Sequence, residues 1–177
     1  APTMSIAENF ALATRRGHAR GLGWALNRRL LGELRDRVRE LKMGLEDRLD
    51  NAIGSLSGGQ RQALTLLMAG WLKPDLLLLD EHTAALDPKS AEQVMQLTAG
   101  LVERDRLTTF MVTHSMAQAV QHGNRLLMLH QGRIHHDFSG ADKHRLRVDD
   151  LLGRFDDLRR RDLLDESAAA LLREQYV

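Results

Sequence analysis

Two kinds of hydrophobic pattern alternate along this 177-residue chain: apolar residues at helical spacing, and short uninterrupted apolar runs. Ser5 followed by Glu8 has the form of a capping box and predicts a helix through Phe10 and Leu12. A second helix is predicted over about 23–41, where Leu26, Leu30, Leu31, Leu34, Val38 and Leu41 recur at helical spacing. Its other face carries Arg28, Arg29, Arg35, Arg37 and Arg39, which suits a solvated face or a surface offered to a partner. Residues 1–50 as a whole read as helical. Helical spacing returns over 60–71 and stops at the Lys73-Pro74-Asp75 turn.

Beyond that turn the pattern changes. Residues 76–79 are four consecutive leucines closed by Asp80-Glu81, which predicts a strand buried on both faces, as in a parallel sheet. A helix over 90–103, an apolar strand over 108–113 and a further helix after Ser115 follow. Two short runs, 125–130 and 133–138, flank Gln131-Gly132, a dipeptide suited to a hairpin turn. The strand–helix–strand alternation predicts an α/β fold with parallel strands joined by right-handed crossovers. Residues 141–177 are charged and dotted with leucine, which predicts a helical C-terminal extension.

Composition narrows this picture. The length suits one globular unit, and 43% hydrophobic with 28% charged residues is ordinary for a packed, soluble protein. Aromatics are only 4%, so Leu, Ala, Val and Met must fill the core. Lys+Arg (25) nearly cancel Asp+Glu (24), which argues against nucleic acid as a partner. The absence of cysteine excludes disulfides, Cys-ligated metals and thiol chemistry, and fits a cytoplasmic location. No apolar run approaches the roughly 20 residues that cross a bilayer. The N-terminus lacks the basic and apolar regions of a signal peptide. It also lacks an initiator Met, so the expectation is a processed chain or one that begins inside a longer protein.

Four local features carry candidate chemistry, and each has a plainer alternative. Ser57-Gly58-Gly59-Gln60 at the mouth of a helix can bind an anion through backbone N–H groups and the helix dipole, or can simply cap that helix. Asp80-Glu81 ends a buried strand, where active sites of parallel sheets collect. One carboxylate there suits Mg²⁺ and the second an attacking water, though a polar strand end would look the same. His114 ends the next strand and would stand beside that pair if the strands are neighbours; a lone histidine can also be structural. Leu86-Asp87-Pro88 can be an N-cap and turn alone.

Order and spacing decide between these readings. Within residues 56–114 the set resembles the ABC ATPase family. Leu56-Ser57-Gly58-Gly59-Gln60 looks like its signature, and Leu76-Leu77-Leu78-Leu79-Asp80 with Glu81 like its Walker B strand and catalytic base. Ala85-Leu86-Asp87 looks like the D-loop and Val112-Thr113-His114 like the switch-histidine strand. The likeness extends weakly over 1–55, as the helical subdomain, and over 115–138, as the last core strands. It implies a partial P-loop NTPase core: a helical subdomain over 1–70, the C-terminal part of the RecA-like α/β core over 71–140, and a helical extension over 141–177.

The resemblance also implies a mechanism. Two ATPase subunits dimerise head to tail around two ATP molecules, and Ser57, Gly58, Gly59 and Gln60 of one face the nucleotide held by the other. Asp80 holds Mg²⁺ mostly through water, Glu81 polarises the attacking water, His114 contacts the γ-phosphate, and Asp87 couples the two sites. The family's transporters add a transmembrane permease subunit, on which the helical part docks. The ATPase is then peripheral to the inner face of the cell membrane.

The P-loop pattern G-x-x-x-x-G-K-[ST] does not occur in the chain. The Gly-rich stretch 17–23 has Arg in place of Lys-Ser/Thr, and the family's adenine-stacking aromatic and Q-loop are not identifiable here. The expectation is a chain that binds ATP weakly and hydrolyses it negligibly alone, and that leaves apolar sheet edge and helix surface uncovered. Position 82 departs from many transport ATPases, with His82 where they have proline. Residues 81–87 resemble importer ATPases served by a solute-binding protein, with a hint of amino-acid cargo. Two alternatives remain: a lobe of a chromosome-maintenance or DNA-repair ATPase, disfavoured by the lack of sustained heptads, and a non-catalytic regulatory fragment.

Overall fold

The capping box at the start of the chain forms as its residues require. Ser5 Oγ accepts from the Glu8 N–H and the Glu8 carboxylate accepts from the Ser5 N–H, opening helix α1 (Ile6–Ala13). The computed structural model describes residues 1–15 and 27–160. The predicted helix start at 23–26, the Gly-rich stretch 17–23 and the tail at 161–177 lie outside the described residues. Two units divide the chain, Ala1–Val112 and Thr113–Val177.

In the first unit, α2 (Arg28–Glu40) begins at Asn27, whose side chain accepts from the Leu30 N–H. The apolar stripes of α1, α2 and α3 (Gly58–Gly70) meet around Ile6, Phe10, Leu34, Val38 and Leu64. Trp71 closes this core, edge-on to Phe10 at 5.4 Å and beneath the Arg37 guanidinium at 5.1 Å. The expectation of helix throughout 1–50 fails over 41–50, which is built of turns. Lys42 and Gly44 adopt positive φ, ending α2 and turning the chain so that Leu45 and Leu49 reach the core. The Ile6 and Ala7 N–H groups donate to the Asn51 and Leu49 carbonyls, tying this loop to α1.

Strand β1 (Leu76–Asp80), helix α4 (Pro88–Asp105) and strand β2 (Thr108–Val112) complete the first unit. The strands pair in parallel, in register from Leu76 opposite Thr108 to Asp80 opposite Val112. The α/β expectation is met, with α4 as the connection between parallel strands. Burial of β1 on both faces is not met. Leu77 and Leu79 pack with Leu66, Leu101 and Leu107 under α3 and α4, whereas Leu76 is 50% and Leu78 67% exposed. On β2, Phe110 and Val112 are likewise exposed. Helices lie on one face of this two-stranded sheet, so the second apolar row has no cover among the described residues. Packing of the two helices is close, since a Cβ at Gly70 would lie 2.7 Å from Leu101 Cδ2.

The second unit holds α5 (Met116–Gln121), the hairpin β3 (Arg125–His130) and β4 (Arg133–Ser139), α6 (Gly140–Arg145) and a helix over 148–160. Gln131 and Gly132 form the predicted turn with φ of +48° and +72°, the paired positive values that match the twist of a two-residue hairpin. Leu146, Leu151 and Leu158 pack on Leu126 and Met128, so the first part of the predicted helical extension covers one face of the hairpin. The buried Lys143 ammonium donates to the Val120 carbonyl near the end of α5.

Candidate functional site

Leu56, buried at 4%, anchors the chain just before α3. Ser57 is the N-cap: its Oγ accepts from the Gln60 N–H at 3.2 Å, and the Ser57 N–H donates to Gln60 Oε1 at 3.1 Å. The cap and the anion-binding readings of this segment are therefore compatible. The capping bonds set the backbone, and the first-turn N–H groups of Gly58 and Gly59 have no carbonyl partner within the helix. Ser57 and Gly58 are exposed, while Gly59 is buried.

Gly59 is buried because the start of α4 lies against it. A Cβ there would sit 3.0 Å from both Ser90 Cβ and Ser90 Oγ, and one at Gly58 would sit 3.3 Å from Leu86 Cδ2. Asp87 caps α4, accepting from the Ser90 N–H at 3.0 Å, with Pro88 in the first turn. The Asp87 carboxyl is held below its ordinary value, first by its bond to the Ser90 side chain and then by the Ser90 backbone. The signature segment and the 86–90 turn are thus packed together, two helix starts side by side.

The acidic pair stands at the other end of the loop that leads to Asp87. Period-two alternation along β1 leaves Asp80 exposed and would bury the next residue. Glu81 instead adopts φ of +42°, a left-handed conformation that costs a non-glycine residue on the order of 1–2 kcal/mol. The kink breaks the alternation: Asp80 and Glu81 are both exposed, His82 is half-buried and Thr83 is buried. Two backbone bonds fix it. The Glu81 N–H donates to the Val112 carbonyl at 3.0 Å, extending the β1–β2 ladder, and the Ala84 N–H donates to the Glu81 carbonyl at 2.9 Å.

Asp80 offers one exposed carboxylate, and among the described residues no group of three or more His, Cys, Asp or Glu forms a metal cage. Such a donor set fits a cation that arrives with most of its ligands, as Mg²⁺ does when it keeps waters and phosphate oxygens. His114 lies two residues past β2, in the second unit, just before the cap of α5. There Ser115 Oγ accepts from the Gln118 N–H, and Thr113 Oγ1 donates to Gln118 Oε1.

Two contributing residues escaped the sequence reading, and a third, His82, stands out there only as a departure from proline. Arg61 donates to the Leu56 carbonyl at 2.6 Å, bracing the segment that leads into the signature. Its place directly after Gln60 was the available signal. Ser90 sets the spacing between α3 and α4, and its position three residues after Asp87 could have marked it. His82 lies 3.1 Å from Thr98 Oγ1, a partner sixteen residues away that no local spacing reveals.

The sequence profile of the family described as "ABC transporter" matches residues 1–84. The chain is 41% identical over 155 residues to a tyrosine transport ATP-binding protein of Clostridioides difficile, covering 88% of this chain and 61% of that one. It is 44% identical over 100 residues to the phosphate import ATP-binding protein PstB of Mycobacterium intracellulare, covering 56% of this chain and 34% of the relative. The chain thus spans about three fifths or less of these relatives' length. Among solved structures it resembles a metal-chelate type ABC transporter in an inward-facing conformation, with a TM-score of 0.68 and 25% identity over 86% of this chain and 59% of that one. An ATP-binding cassette of an ABC transporter in its ADP conformation shares the fold, with a TM-score of 0.65 at 21% identity, over 84% of this chain and 60% of that one. Residues 1–84 carry the sequence pattern of the ABC transporter family, and over most of its length the chain is similar to ATP-binding proteins of ABC transporters.

Proposed function

We propose that this chain supplies the signature and the water-activating part of the ATP sites in the ATP-binding subunit of a bacterial ABC importer. The observation that carries the proposal is the pair Asp80-Glu81, turned out together at the end of β1 by the left-handed Glu81. Hydrolysis of a phosphoanhydride needs positioned charge more than covalent chemistry. Glu81 accepts a proton from the attacking water and orients it. Ser57, Gly58, Gly59 and Gln60 present donors to the γ-phosphate of a nucleotide held by a second, head-to-tail subunit. Asp87 transmits between the two sites, and His114 donates to the γ-phosphate. Asp80 is the residue that would hold Mg²⁺, which neutralises developing phosphate charge when bound.

In this reading residues 1–70 serve as the helical signature subdomain, 71–140 as the C-terminal part of the RecA-like core and 141–177 as its extension. The helical subdomain docks on a transmembrane permease, which is fed by a solute-binding protein. The chain is then cytoplasmic and peripheral to the inner face of the membrane; no helix among the described residues is long and apolar enough to span one. Likeness to the tyrosine transport protein favours an amino-acid cargo.

Phosphate release with Mg-ATP tests the proposal, using the chain alone and the chain mixed with a P-loop-bearing half of an ABC ATP-binding subunit. Turnover is expected only in the mixture and should fall by about 10²–10⁴-fold in Glu81→Gln, the usual span for a general base. Turnover in the mixture that survives Glu81→Gln would overturn the assignment of the base.

A further inference from the structure

The Glu81 kink is unfavourable in its backbone, and beyond the two backbone bonds that hold it the loop carries a further tie. The loop after β1 is anchored at its next residue. His82 turns in where Glu81 turns out, and its Nε2 lies 3.1 Å from the hydroxyl of Thr98, itself 5% exposed on α4. The direction of that bond follows from proton count. Thr98 Oγ1 has one hydrogen and donates it to the Val94 carbonyl at 2.8 Å, one turn back on α4. The hydroxyl can then only accept from the imidazole, so Nε2 carries the hydrogen. A relay results: His82 Nε2–H to Thr98 Oγ1–H to the Val94 carbonyl.

We infer that His82 is a positioning residue, fixing the left-handed backbone of Glu81 by clamping the loop after β1 to the middle of α4 through Thr98. One side of Glu81 is held by the sheet, through its N–H and the Val112 carbonyl. The other side is held by this clamp. A proline in position 82 would constrain the backbone but could make no such bond to α4. The clamp acts through Glu81 and touches no reacting atom. Its catalytic meaning rests on Glu81 being the base, whereas its existence does not.

The experiment uses the chain itself and no nucleotide. Long-range ¹H–¹⁵N spectra report the His82 tautomer, and amide hydrogen exchange reports the Glu81 and Ala84 N–H groups against Leu77 and Leu79 in the core of β1. The Nε2–H form is expected for His82. In His82→Ala and in Thr98→Val, exchange at Glu81 and Ala84 should quicken by at least tenfold relative to Leu77 and Leu79. His82→Gln, whose amide nitrogen reaches nearly the place of Nε2, and Thr98→Ser, which keeps the hydroxyl, should restore most of the protection. An Nδ1–H tautomer in the unaltered chain overturns the inference, and needs no variant to fold. Unchanged exchange in both disruptive variants overturns it too, as does loss of protection spread equally over β1 or a failure of both conservative variants to rescue. Loss of turnover in Glu81→Gln is a separate measurement, so a failed clamp and a failed base are distinguishable.

Discussion

Side chains added or removed at the meeting of the signature with α4 should report how tightly the site is built. Gly59→Ala places a Cβ 3.0 Å from Ser90 and must push the first turn of α4 aside, so a loss of about 1–2 kcal/mol in denaturant unfolding is expected. Gly100→Ala is the control on the same helix: nothing lies within 4 Å of its added Cβ, and a gain of about 0.5–1 kcal/mol is expected from reduced chain entropy. Asp87 makes a pH prediction. Its folded carboxyl titrates below its unfolded value, so the unfolded chain binds the proton more readily. The stability it contributes is present above the unfolded pKa and is lost as pH falls from about 4 through the lower folded value. Asp87→Asn keeps an N-cap acceptor without titrating, and a melting series between pH 6 and pH 2.5 should show a shallower acid limb for it.

Among the elements, the β1–β2 pair separates two kinds of leucine that the sequence cannot tell apart. Leu79→Ala opens space beneath α3 and α4 and should cost about 2–4 kcal/mol, whereas Leu78→Thr removes an exposed side chain and should cost less than about 1 kcal/mol. Urea unfolding of the two variants checks the contrast. Four consecutive leucines announce a strand but hold no information on which face is covered, so two-sided burial was the natural and mistaken expectation. Caps and turns were legible because their chemistry is local: Ser5 with Glu8, Ser57 with Gln60, and Gln131-Gly132 each use neighbours within a few residues. The candidate site's residues were named from their order in the chain alone. The site's geometry was not legible, because the Glu81 kink and the His82–Thr98 bond depend on a strand and a helix brought together by the fold.

For the whole molecule, the two units carry different parts of the proposed chemistry. Signature, D-loop turn and acidic pair belong to the first, and His114 opens the second. The chain's low net charge adds a consequence to the one-faced sheet described above. Leu76, Leu78, Phe110 and Val112 form an apolar row in water on a protein whose formal charge is +1 at pH 7 and whose isoelectric point is near 8.5. Colloidal repulsion is therefore weakest where many buffers for ATPases sit, and sticky encounters through the row go unopposed. Light scattering should show reversible clusters that grow as pH rises toward 8.5, where the net charge falls to zero. Leu78→Lys, which adds charge and removes apolar surface at once, should shift that rise to higher protein concentration. The choice of buffer then governs how much of any stock is available as single molecules, and so the amount of active material that a turnover measurement counts.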